Sequence, residues 1–578
     1  MLRPCLDGRA MALFALVLSG SAMFAGTPAL ASPCTNLQSS LALEHATITS
    51  ATDVTGGSFT PPGSAPITGL PPFCRVTATL TPTSDSVIKI EVWLPETKWN
   101  GRFLGTGGGG FQGVITYSEL ANGIIAGFAS ANTDLGTGVS GCSPLFCGSD
   151  GNKGNVFAID FGDPATPSTG LFGHPERIKD FGYRAIHLMT VRAKEITSAF
   201  FSQAAQKSYF AGCSTGGQNA LMEAQRFPHD YDGILAGAAA FNRTHLHIAA
   251  LGTWQNAHAS PARFIQPGQM TVINKAVLAA CVGQDGGAKT DQFLTDPRDC
   301  HFDPKVLQCS GGNVPPACLT ADQVTTMRNY YAGTIDPVNG DVINPGYERG
   351  NETDNVLALG LEFAENLPEP AFDGLFYWVY GAAFGIPSSP VNFANFDFHK
   401  DVDTVDDQLA RVLNATSTDL SEFRAHGGKL IMYHGWADPL IPSQSSINYF
   451  NALVKGDGDH PMPARLDDDD PSLKRTQGYA RLFMVPGLFH CSGGPGPNVF
   501  DALTPLVTWV ESGTAPQTIT ATKFVNDTPP AVAMTRPLCV YPKVAKYNGN
   551  GSTSIAANFT CVPDGHDFNE MPATQYGP

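Results

Sequence analysis

The chain has 578 residues, of which 42% are hydrophobic and 10% are aromatic. This length exceeds what one small core needs, and the composition is ample for a packed interior, so two or more structural units are predicted and general disorder is excluded. The net charge of −17 argues against binding to nucleic acid and to anionic membrane surfaces.

The N-terminus is typical of a secretory signal peptide. Arg3 and Arg9 precede an apolar run at 12–26, and residues 29–31 (Ala-Leu-Ala) supply a small-x-small cleavage pattern. Residues 1–31 are therefore predicted to be removed, and the mature protein is expected to be secreted, extracellular or periplasmic. A retained membrane anchor is the alternative, but the run is short and interrupted by Gly and Ser. No membrane anchor is expected after cleavage.

Strands and glycine-rich turns are predicted for the first part of the mature chain. Segment 87–95 (VIKIEVWLP) is rich in β-forming residues, and segment 101–113 (GRFLGTGGGGFQG) runs from a strand into a glycine cluster. A short buried strand at 208–212 is followed by a helix at 216–228 and by another buried strand at 232–240.

Two more apolar strands that run into polar loops are predicted within 427–442 and 481–490. Strands that alternate with helices and end in polar residues indicate an open α/β sheet, whose ligands bind outside the carboxyl ends of the strands. The stretch 241–425 lacks this alternation and contains four cysteines and aromatic clusters. It is predicted to be an inserted domain between two parts of the sheet domain, 32–240 and 426–578.

A Gly-x-Ser-x-Gly motif at 212–216 lies between a predicted strand and a predicted helix. Such a tight turn pushes the serine hydroxyl out at the top of the sheet, where a substrate carbonyl can reach it. The helix N-terminus adds positive partial charge beside a developing oxyanion. Ser214 is therefore predicted to be a nucleophile. The alternative is a glycine turn that only lets the helix pack on the sheet.

A serine nucleophile needs a base, and the base needs an orienting acid. On sheets of this kind the chain order is Ser, then Asp or Glu, then His. Asp438 (in HGWADPLIP) and His490 (in GLFHCSGG) each follow an apolar strand and are predicted to be the acid and the base. His434 and His426 are competing histidines, and each is predicted to be a structural or pocket residue, with His434 lining the substrate site.

The glycine cluster after the early strand is predicted to supply one oxyanion donor. Without Cβ atoms its backbone N–H groups can approach a substrate closely. The predicted donors are the N–H of Thr215 and that of Gly109 or Gly110. A cradle for a nucleotide phosphate is the alternative, but no Lys-Ser/Thr follows the glycines.

Cysteine usage indicates disulfides. The chain has 13 cysteines, and removal of Cys5 with the signal peptide leaves an even number in an exported protein. Zinc is disfavoured because no C-x-x-C and no paired histidines are present. The local couples are Cys34 with Cys74, Cys142 with Cys147, Cys281 with Cys300, Cys309 with Cys318, and Cys539 with Cys561.

Cys213 and Cys491 have no near neighbour in the sequence, but they flank Ser214 and His490. Contact between the hydroxyl and the imidazole would bring the two cysteines together, and a disulfide needs Cα atoms roughly 4.4–6.8 Å apart. A Cys213–Cys491 bridge that holds nucleophile and base together is therefore predicted.

These motifs resemble those of the tannase and feruloyl esterase family of α/β-hydrolases, which also contains the mono(2-hydroxyethyl) terephthalate hydrolase. The resemblance covers nearly the whole mature chain. It implies an α/β-hydrolase fold with a large inserted lid domain, and cleavage of esters of aromatic acids such as gallate, ferulate and related hydroxycinnamates. It also implies the local disulfide couples above, with Cys142–Cys147 as an addition. The matching segments are GCSTGG, HGWADPLIP, FHCSGGPG, KWNGRFLGTGGGGFQG and FPHDYDGILAGAAA.

The family's lid carries a calcium loop, which the resemblance places at 281–300 (CVGQDGGAKTDQFLTDPRDC). Here Val282 replaces the first acid, and the spacing before Asp291 is two residues longer. Asp285, Asp291 and the Phe293 carbonyl remain as oxygen ligands for a hard cation such as Ca²⁺. A structural calcium ion is one expectation, and a disulfide-closed loop with solvated acids is the other. No cofactor is expected for catalysis.

Together these features predict a secreted serine carboxylic ester hydrolase that acts on small aromatic esters. Phe376, Tyr377 and Trp378 of the lid are predicted to stack on the acid's ring. A terephthalate half-ester is the alternative substrate, ranked lower because no lid arginine can be assigned to its carboxylate. A non-catalytic binding protein on the same fold is disfavoured because the triad is uninterrupted. Acyl transfer to an acceptor other than water stays open.

Overall fold

The structure is a computed structural model. It describes residues 32–111, 113–138, 157–158, 174–353, 383, 392–458 and 469–566. The predicted signal peptide and the Cys142–Cys147 couple lie outside these residues.

The strands fall into one large sheet and several hairpins. In chain order they are β1 (Ala46–Val54), β2 (Gly57–Phe59), β3 (Ile67–Leu70), β4 (Phe73–Leu80), β5 (Ile88–Pro95), β6 (Arg102–Thr106), β7 (Ala129–Thr133), β8 (Lys207–Cys213), β9 (Gly233–Gly237), β10 (Thr334–Ile335), β11 (Val342–Asn344), β12 (Lys429–Gly435), β13 (Ala480–Val485), β14 (Thr518–Phe524), β15 (Val532–Cys539), β16 (Lys543–Tyr547) and β17 (Phe559–Pro563).

The α-helices mostly connect or cover these strands. They are α1 (Pro33–Ser40), α2 (Tyr117–Ile125), α3 (Pro175–Lys179), α4 (Ala185–Phe201), α5 (Thr215–Arg226), α6 (Arg243–His258), α7 (Pro267–Cys281), α8 (Ala321–Ala332), α9 (Val402–Leu413), α10 (Ser421–Ala425), α11 (Gln444–Gly456), α12 (Pro471–Gln477) and α13 (Leu503–Ser512). None of the described helices is both long and apolar enough to cross a bilayer.

The large sheet has the order β1-β4-β5-β7-β6-β8-β9-β12-β13 among the described residues. Six neighbouring strands of this sheet, β7, β6, β8, β9, β12 and β13, run parallel to one another. The remaining strands β5, β4 and β1 extend the sheet beyond β7, and each is antiparallel to its neighbour. The strands that the apolar runs predict are present as β5, β6, β8, β9, β12 and β13. Because parallel strands are covered on both faces, their sequences are continuous apolar runs rather than alternating ones. The predicted open α/β sheet is confirmed.

The carboxyl ends of neighbouring parallel strands meet at one edge of this sheet. Cys213 at the end of β8 is paired with Gly237 at the end of β9, and Gly435 at the end of β12 is paired with Val485 at the end of β13. The loops that follow these strands therefore begin side by side. Ser214, Asp438 and His490 all lie in these loops.

The chain leaves the large sheet after β9 and returns to it at β12, which pairs directly with β9. The described residues between these strands form α6 to α10 and the β10–β11 hairpin, and no strand among them joins the large sheet. Part of this segment has an apolar core of its own, which includes Met270, Ile273, Leu294, Val324 and Met327. An insertion at this point of the chain agrees with the sequence, while the boundaries 241 and 425 stay a prediction.

The C-terminal hairpins pack beside β13. β14 pairs with β15 and β16 pairs with β17, and Val540 forms a bridge with Phe483 of β13. Through β15 this region also reaches the loop at 281–300, because Arg536 forms an ion pair with Asp291.

Candidate active site

Ser214 lies on a sharp turn between β8 and α5. Its backbone angles are φ 63° and ψ −121°, a left-handed conformation that costs energy for any residue with a Cβ. The Ser214 N–H donates to the Gly237 carbonyl at 3.0 Å, which fixes the turn against β9. A Cβ at Gly212 would lie 2.5 Å from the Gly216 oxygen, so the turn closes only with glycine there. This is the geometry that the sequence motif predicts for an exposed nucleophile.

Asp438 and His490 contact each other at the carboxyl ends of β12 and β13. The distance from His490 Nδ1 to Asp438 Oδ2 is 2.7 Å. The other carboxylate oxygen of Asp438 accepts hydrogen bonds from the N–H groups of Leu440 and Ile441, at 2.8 and 3.0 Å. Since Asp438 occupies Nδ1, the Nε2 atom of His490 is left to accept a proton.

The electrostatics of Asp438 favour its ionised form. The side chain is fully buried, and burial by itself would raise its pKa. The charge of His490 and the hydrogen bonds from His434 and His490 outweigh burial, so the pKa of Asp438 lies below its usual value. A carboxylate that stays ionised can hold an imidazolium that forms beside it.

His434 lies behind Asp438 and is fully buried. Its Nε2 is 3.2 Å from Asp438 Oδ2 and 3.1 Å from the Ile441 carbonyl, and its Nδ1 is 2.7 Å from Ser446 Oγ. Both neighbours of Nε2 are acceptors, so we assign the ring proton to Nε2. The Nδ1 atom then accepts a hydrogen bond from the Ser446 hydroxyl. Sequence reasoning predicts that His434 lines the substrate site, whereas this position supports a role in orienting Asp438.

Cys213 and Cys491 form a disulfide with their Cα atoms 6.0 Å apart, which confirms the predicted bridge. It joins the residue before Ser214 to the residue after His490. Within the described residues, the Ser214 hydroxyl and the His490 ring do not form a hydrogen bond, so that contact stays a prediction. In hydrolases without substrate, such contacts are often long and tighten only in the Michaelis complex.

Four of the local cysteine couples are also confirmed as disulfides. They are Cys34–Cys74, Cys281–Cys300, Cys309–Cys318 and Cys539–Cys561.

The glycine loop after β6 lies directly against the start of α5. The Gly216 N–H donates to the Gly108 carbonyl at 2.6 Å, and a Cβ at Gly107 would lie 2.4 Å from the Gly216 Cα. Thr215 Oγ1 donates to the Gly110 carbonyl at 2.6 Å. The predicted oxyanion donors Thr215, Gly109 and Gly110 are therefore on two segments that touch.

Thr215 is at the first position of α5 and is fully buried. Among the described residues, its N–H donates to no acceptor. An unpaired N–H at a helix N-terminus is suited to an oxyanion. Gly110 is half-buried beside it, and Gly109 is exposed.

Sequence reasoning missed Arg243 at this site. It is 3% exposed at the start of α6, and its guanidinium donates to the Gly110 carbonyl at 3.0 Å and to Thr215 Oγ1 at 3.1 Å. No motif marks the residue. The one available signal is a charged side chain that follows closely after the buried strand β9.

The carboxylates of the 281–300 loop accept hydrogen bonds from backbone N–H groups of the same loop. Asp285 Oδ1 accepts the N–H groups of Gly283 and Gly287, and its Oδ2 accepts the N–H of Thr295. Asp291 Oδ2 accepts the N–H of Ala288. Calcium is bound by several oxygens, and these carboxylate oxygens already accept N–H groups, so calcium binding at this loop stays a prediction.

A guanidinium also provides the positive charge that the loop needs. Arg536 of β15 donates to Asp291 Oδ1 at 2.5 Å and is 2% exposed. Its guanidinium carbon lies 4.1 Å from the ring centroid of Phe559 and 5.9 Å from that of Phe293. Phe293 therefore contributes its ring to this cluster, and the expectation that its carbonyl binds calcium stays a prediction.

The predicted substrate-stacking residues Phe376, Tyr377 and Trp378 lie outside the described residues. The lid's contribution to the substrate site therefore stays a prediction.

Comparison with known proteins assigns the family. A model of the family described as tannase and feruloyl esterase matches residues 74–562. The chain belongs to the tannase and feruloyl esterase family. This esterase is 37% identical to an uncharacterized esterase of Xanthomonas campestris, covering 95% of its own chain and 94% of the relative. It is 29% identical to a probable feruloyl esterase B-2 of Aspergillus oryzae, over 95% of this chain and 99% of the relative. It is 31% identical to the mono(2-hydroxyethyl) terephthalate hydrolase of Piscinibacter sakaiensis, over 87% of this chain and 86% of the relative.

Solved structures agree with this assignment. The esterase superposes on the crystal structure of feruloyl esterase B from Aspergillus oryzae with a TM-score of 0.77 at 28% identity, covering 92% of this chain and 99% of the other. Tannin acyl hydrolase from Aspergillus niger, at 22% identity and a TM-score of 0.69, shares the fold. The predicted α/β-hydrolase fold is confirmed. The protein is a carboxylic ester hydrolase with a small-molecule ester as substrate.

Proposed function

We propose that this esterase hydrolyses esters of phenolic acids through an acyl-enzyme formed on Ser214. The observation that carries the proposal is the buried Asp438–His490 pair, held beside the nucleophile turn by the Cys213–Cys491 disulfide. A buried Asp–His pair, a serine on a strained strand–helix turn and the unpaired Thr215 N–H beside it are parts that acyl transfer needs.

In the proposed reaction, Ser214 Oγ attacks the ester carbonyl and His490 Nε2 takes the hydroxyl proton. The tetrahedral oxyanion accepts hydrogen bonds from the Thr215 N–H and from an N–H of Gly109 or Gly110. Collapse of the intermediate breaks the ester C–O bond, and His490 gives its proton to the leaving alkoxide. Water then repeats the sequence on the acyl-enzyme and releases the acid. Asp438 keeps the His490 tautomer and stabilises the imidazolium.

The proposed substrates are ferulate and other hydroxycinnamate esters, with gallate esters next. Similarity to several probable feruloyl esterases over most of the chain supports this class. A terephthalate half-ester is the second candidate, because one relative of comparable identity is a mono(2-hydroxyethyl) terephthalate hydrolase.

A panel of methyl ferulate, methyl gallate, chlorogenate and mono(2-hydroxyethyl) terephthalate tests the substrate class through kcat/KM on each. We expect the phenolic esters to exceed the half-ester. Faster turnover of the half-ester would replace the first candidate by the second.

Ser214→Ala tests the nucleophile. We expect loss of turnover on every ester of the panel and loss of labelling by a serine-directed phosphonate. Ser208→Ala is the matched control, because Ser208 is 7% exposed at the opposite end of the same strand. Full activity of Ser214→Ala on any of these esters would contradict the mechanism.

We further propose that the protein is exported after cleavage behind Ala31. The disulfides are consistent with an oxidising compartment. Expression of the full chain with its leader in a Gram-negative host, followed by intact-mass analysis of the periplasmic protein, tests this. We expect a mature chain that begins at Ser32. Retention of the whole leader in the cytoplasm would contradict export.

A further inference from the structure

Arg243 is a buried cation without an acidic partner. It is 3% exposed, and no carboxylate in the described part of the chain forms an ion pair with it. Burial removes water from the guanidinium and thereby lowers the pKa of Arg243. A buried charge is costly unless something compensates for it, so its position needs an explanation.

The guanidinium of Arg243 joins the two segments that carry the predicted oxyanion donors. Nη2 donates to the Gly110 carbonyl at 3.0 Å, and Nη1 donates to Thr215 Oγ1 at 3.1 Å. Nη1 also donates to Gln218 Oε1 at 2.7 Å, one turn along α5. Thr215 Oγ1 in turn donates to the same Gly110 carbonyl at 2.6 Å. The resulting triangle fixes the Gly110 peptide relative to the first turn of α5.

Aromatic rings replace the missing carboxylate. The Arg243 guanidinium carbon lies 4.7 Å from the ring centroid of Phe181 and 5.3 Å from that of Phe111, which follows Gly110. Ring faces stabilise a cation without neutralising its charge. The pKa of the buried His247 lies well below its usual value, through burial and the nearby Arg243 charge, so this neighbour stays uncharged at neutral pH.

We propose that Arg243 is the positioning residue of the oxyanion hole. It holds the Gly110 peptide against Thr215 and directs an uncompensated positive charge at the segment where negative charge develops in the transition state. The inference rests on the proposed function, because it assumes that Thr215 and the glycine loop bind the oxyanion.

Residue type supports this role. A planar guanidinium can serve two acceptors on different segments at once, whereas an ammonium of similar charge has no fixed fork. An acidic partner for Arg243 would cancel the field that stabilises an oxyanion. An arginine that stabilises an oxyanion is therefore expected to lack a carboxylate partner, as Arg243 does among the described residues. A purely structural arginine would instead be stabilised by such a partner.

The test compares Arg243→Met, which removes the charge and the bridges, with Arg243→Lys, which keeps the charge alone. Both are measured on methyl ferulate for kcat and KM, and for affinity towards an aryl boronic acid that forms a tetrahedral adduct with an active-site serine. Arg192→Met is the matched control, because Arg192 is also a buried arginine, 7% exposed, but is paired with Glu44 and Glu195.

We expect Arg243→Met to lower kcat by about 10²-fold, the loss typical of an oxyanion donor, with KM changed by less than about 3-fold. Boronate affinity is expected to fall with kcat, while affinity for the ferulate product stays the same. Arg243→Lys is expected to lie between Arg243→Met and the wild type. Arg192→Met is expected to lower the melting temperature without changing kcat per folded molecule.

An unchanged kcat in Arg243→Met, or an equal loss of boronate and ferulate affinity, would overturn the proposal. If Arg243→Met does not fold, Arg243→Lys decides alone, and wild-type kcat and boronate affinity in that variant would overturn the positioning role. Failure of the proposed function is distinguishable, since Ser214→Ala would then retain hydrolysis whatever Arg243 does.

Discussion

Cys213 and Cys491, separated by 278 positions in the chain, are joined by a disulfide whose Cα atoms lie 6.0 Å apart. The bridge connects the nucleophile turn after β8 with the loop after β13, which is at the edge of the large sheet. Two strands of the sheet, β9 and β12, lie between these loops. The placement of His490 therefore depends on a covalent link as well as on sheet packing.

We expect the Cys213→Ser, Cys491→Ser double variant to lose activity beyond its loss of stability. Without the bridge the loop that carries His490 is held by non-covalent contacts alone, and a misplacement of about 1 Å can cost about 10²-fold in rate. Removal of a native disulfide also costs about 2–5 kcal/mol of unfolding free energy. Activity per folded molecule and the urea midpoint are the two measurements.

The matched control is the Cys34→Ser, Cys74→Ser double variant. This bridge ties α1 to β4, at the antiparallel edge of the sheet. It is expected to lower the urea midpoint but to leave kcat unchanged at temperatures where the protein is folded. Equal loss of kcat in both variants would show that the Cys213–Cys491 bridge has no special part in the site.

Asp438→Asn is expected to lower kcat by about 10³–10⁴-fold with little change in KM. The amide cannot hold the His490 tautomer that leaves Nε2 free as a base, which is the loss known for serine proteases. The buried neighbours of Asp438 are N–H donors, so the amide nitrogen would face Leu440 and Ile441 or His490 unfavourably. Stopped-flow acylation by p-nitrophenyl ferulate measures the step directly. Acylation at the wild-type rate would contradict the assignment of Asp438.

His434→Phe separates the two roles considered for His434. If the residue orients Asp438, removal of its hydrogen bonds to Asp438 and Ser446 lowers kcat, by about 10-fold for one of several supporting bonds, and leaves KM unchanged. If it lined the substrate site, KM would change with the size of the ester. We expect the first result for both methyl ferulate and methyl gallate, and a KM change on either ester would favour the second.

The parts of the site that could be predicted are those that short sequence segments encode. Ser214 lies in a motif that also specifies its strand, turn and helix, and Asp438 and His490 follow apolar runs that form strands. The order of parallel strands brings their ends together, so residue type at a strand end carries information about the site. The cysteines beside Ser214 and His490 also allowed a contact between distant parts of the chain, the Cys213–Cys491 disulfide, to be predicted from the sequence.

The two arginines could not be predicted, because their roles depend on partners far along the chain. Arg243 bonds Gly110 from 133 positions away, and Arg536 bonds Asp291 from 245 positions away. A single arginine has no periodicity or motif, and its function appears only when the tertiary neighbours are known. In the 281–300 loop, residue types suggested calcium ligands, but they gave no sign that the carboxylate oxygens accept N–H groups and the Arg536 guanidinium.

Arg536→Met tests whether a guanidinium rather than calcium stabilises the 281–300 loop. Removing one partner of a buried ion pair leaves Asp291 uncompensated, and such changes cost about 3–5 kcal/mol. We expect a lower melting temperature for Arg536→Met and no change in the wild type on addition of EGTA or of calcium chloride. A wild-type melting temperature that falls with EGTA and recovers with calcium would show that the loop binds the ion.

The inserted segment contains a pH-sensitive contact at His245. Its Nδ1 is 2.7 Å from the Ile343 carbonyl and its Nε2 is 2.7 Å from Asp406 Oδ2, so both ring nitrogens face acceptors. Only the imidazolium can donate to both. Burial alone would lower the pKa of His245, but Asp406 and the Ile343 carbonyl outweigh it and raise the pKa. The contact joins α6, β11 and α9.

The direction of the pH effect follows from that raised pKa. A histidine whose pKa is higher in the folded state contributes stability that is complete below the unfolded value of about 6.5 and is lost as the pH rises through the folded value. Asp406→Asn keeps an acceptor for the Thr244 hydroxyl, which donates to Asp406 Oδ1 at 2.5 Å, but removes the charge that His245 needs.

We expect Asp406→Asn to be less stable than the wild type at about pH 6 and to approach it at about pH 9, in melting temperatures measured at constant ionic strength. The control is Asp303→Asn, because Asp303 pairs with Arg328, which does not titrate in that range, so the difference from wild type should not vary with pH. A difference for Asp406→Asn that is the same at about pH 6 and about pH 9 would show that His245 is neutral in the folded protein. A neutral ring carries one proton, so only one of its two contacts, to Asp406 or to the Ile343 carbonyl, would then be a hydrogen bond.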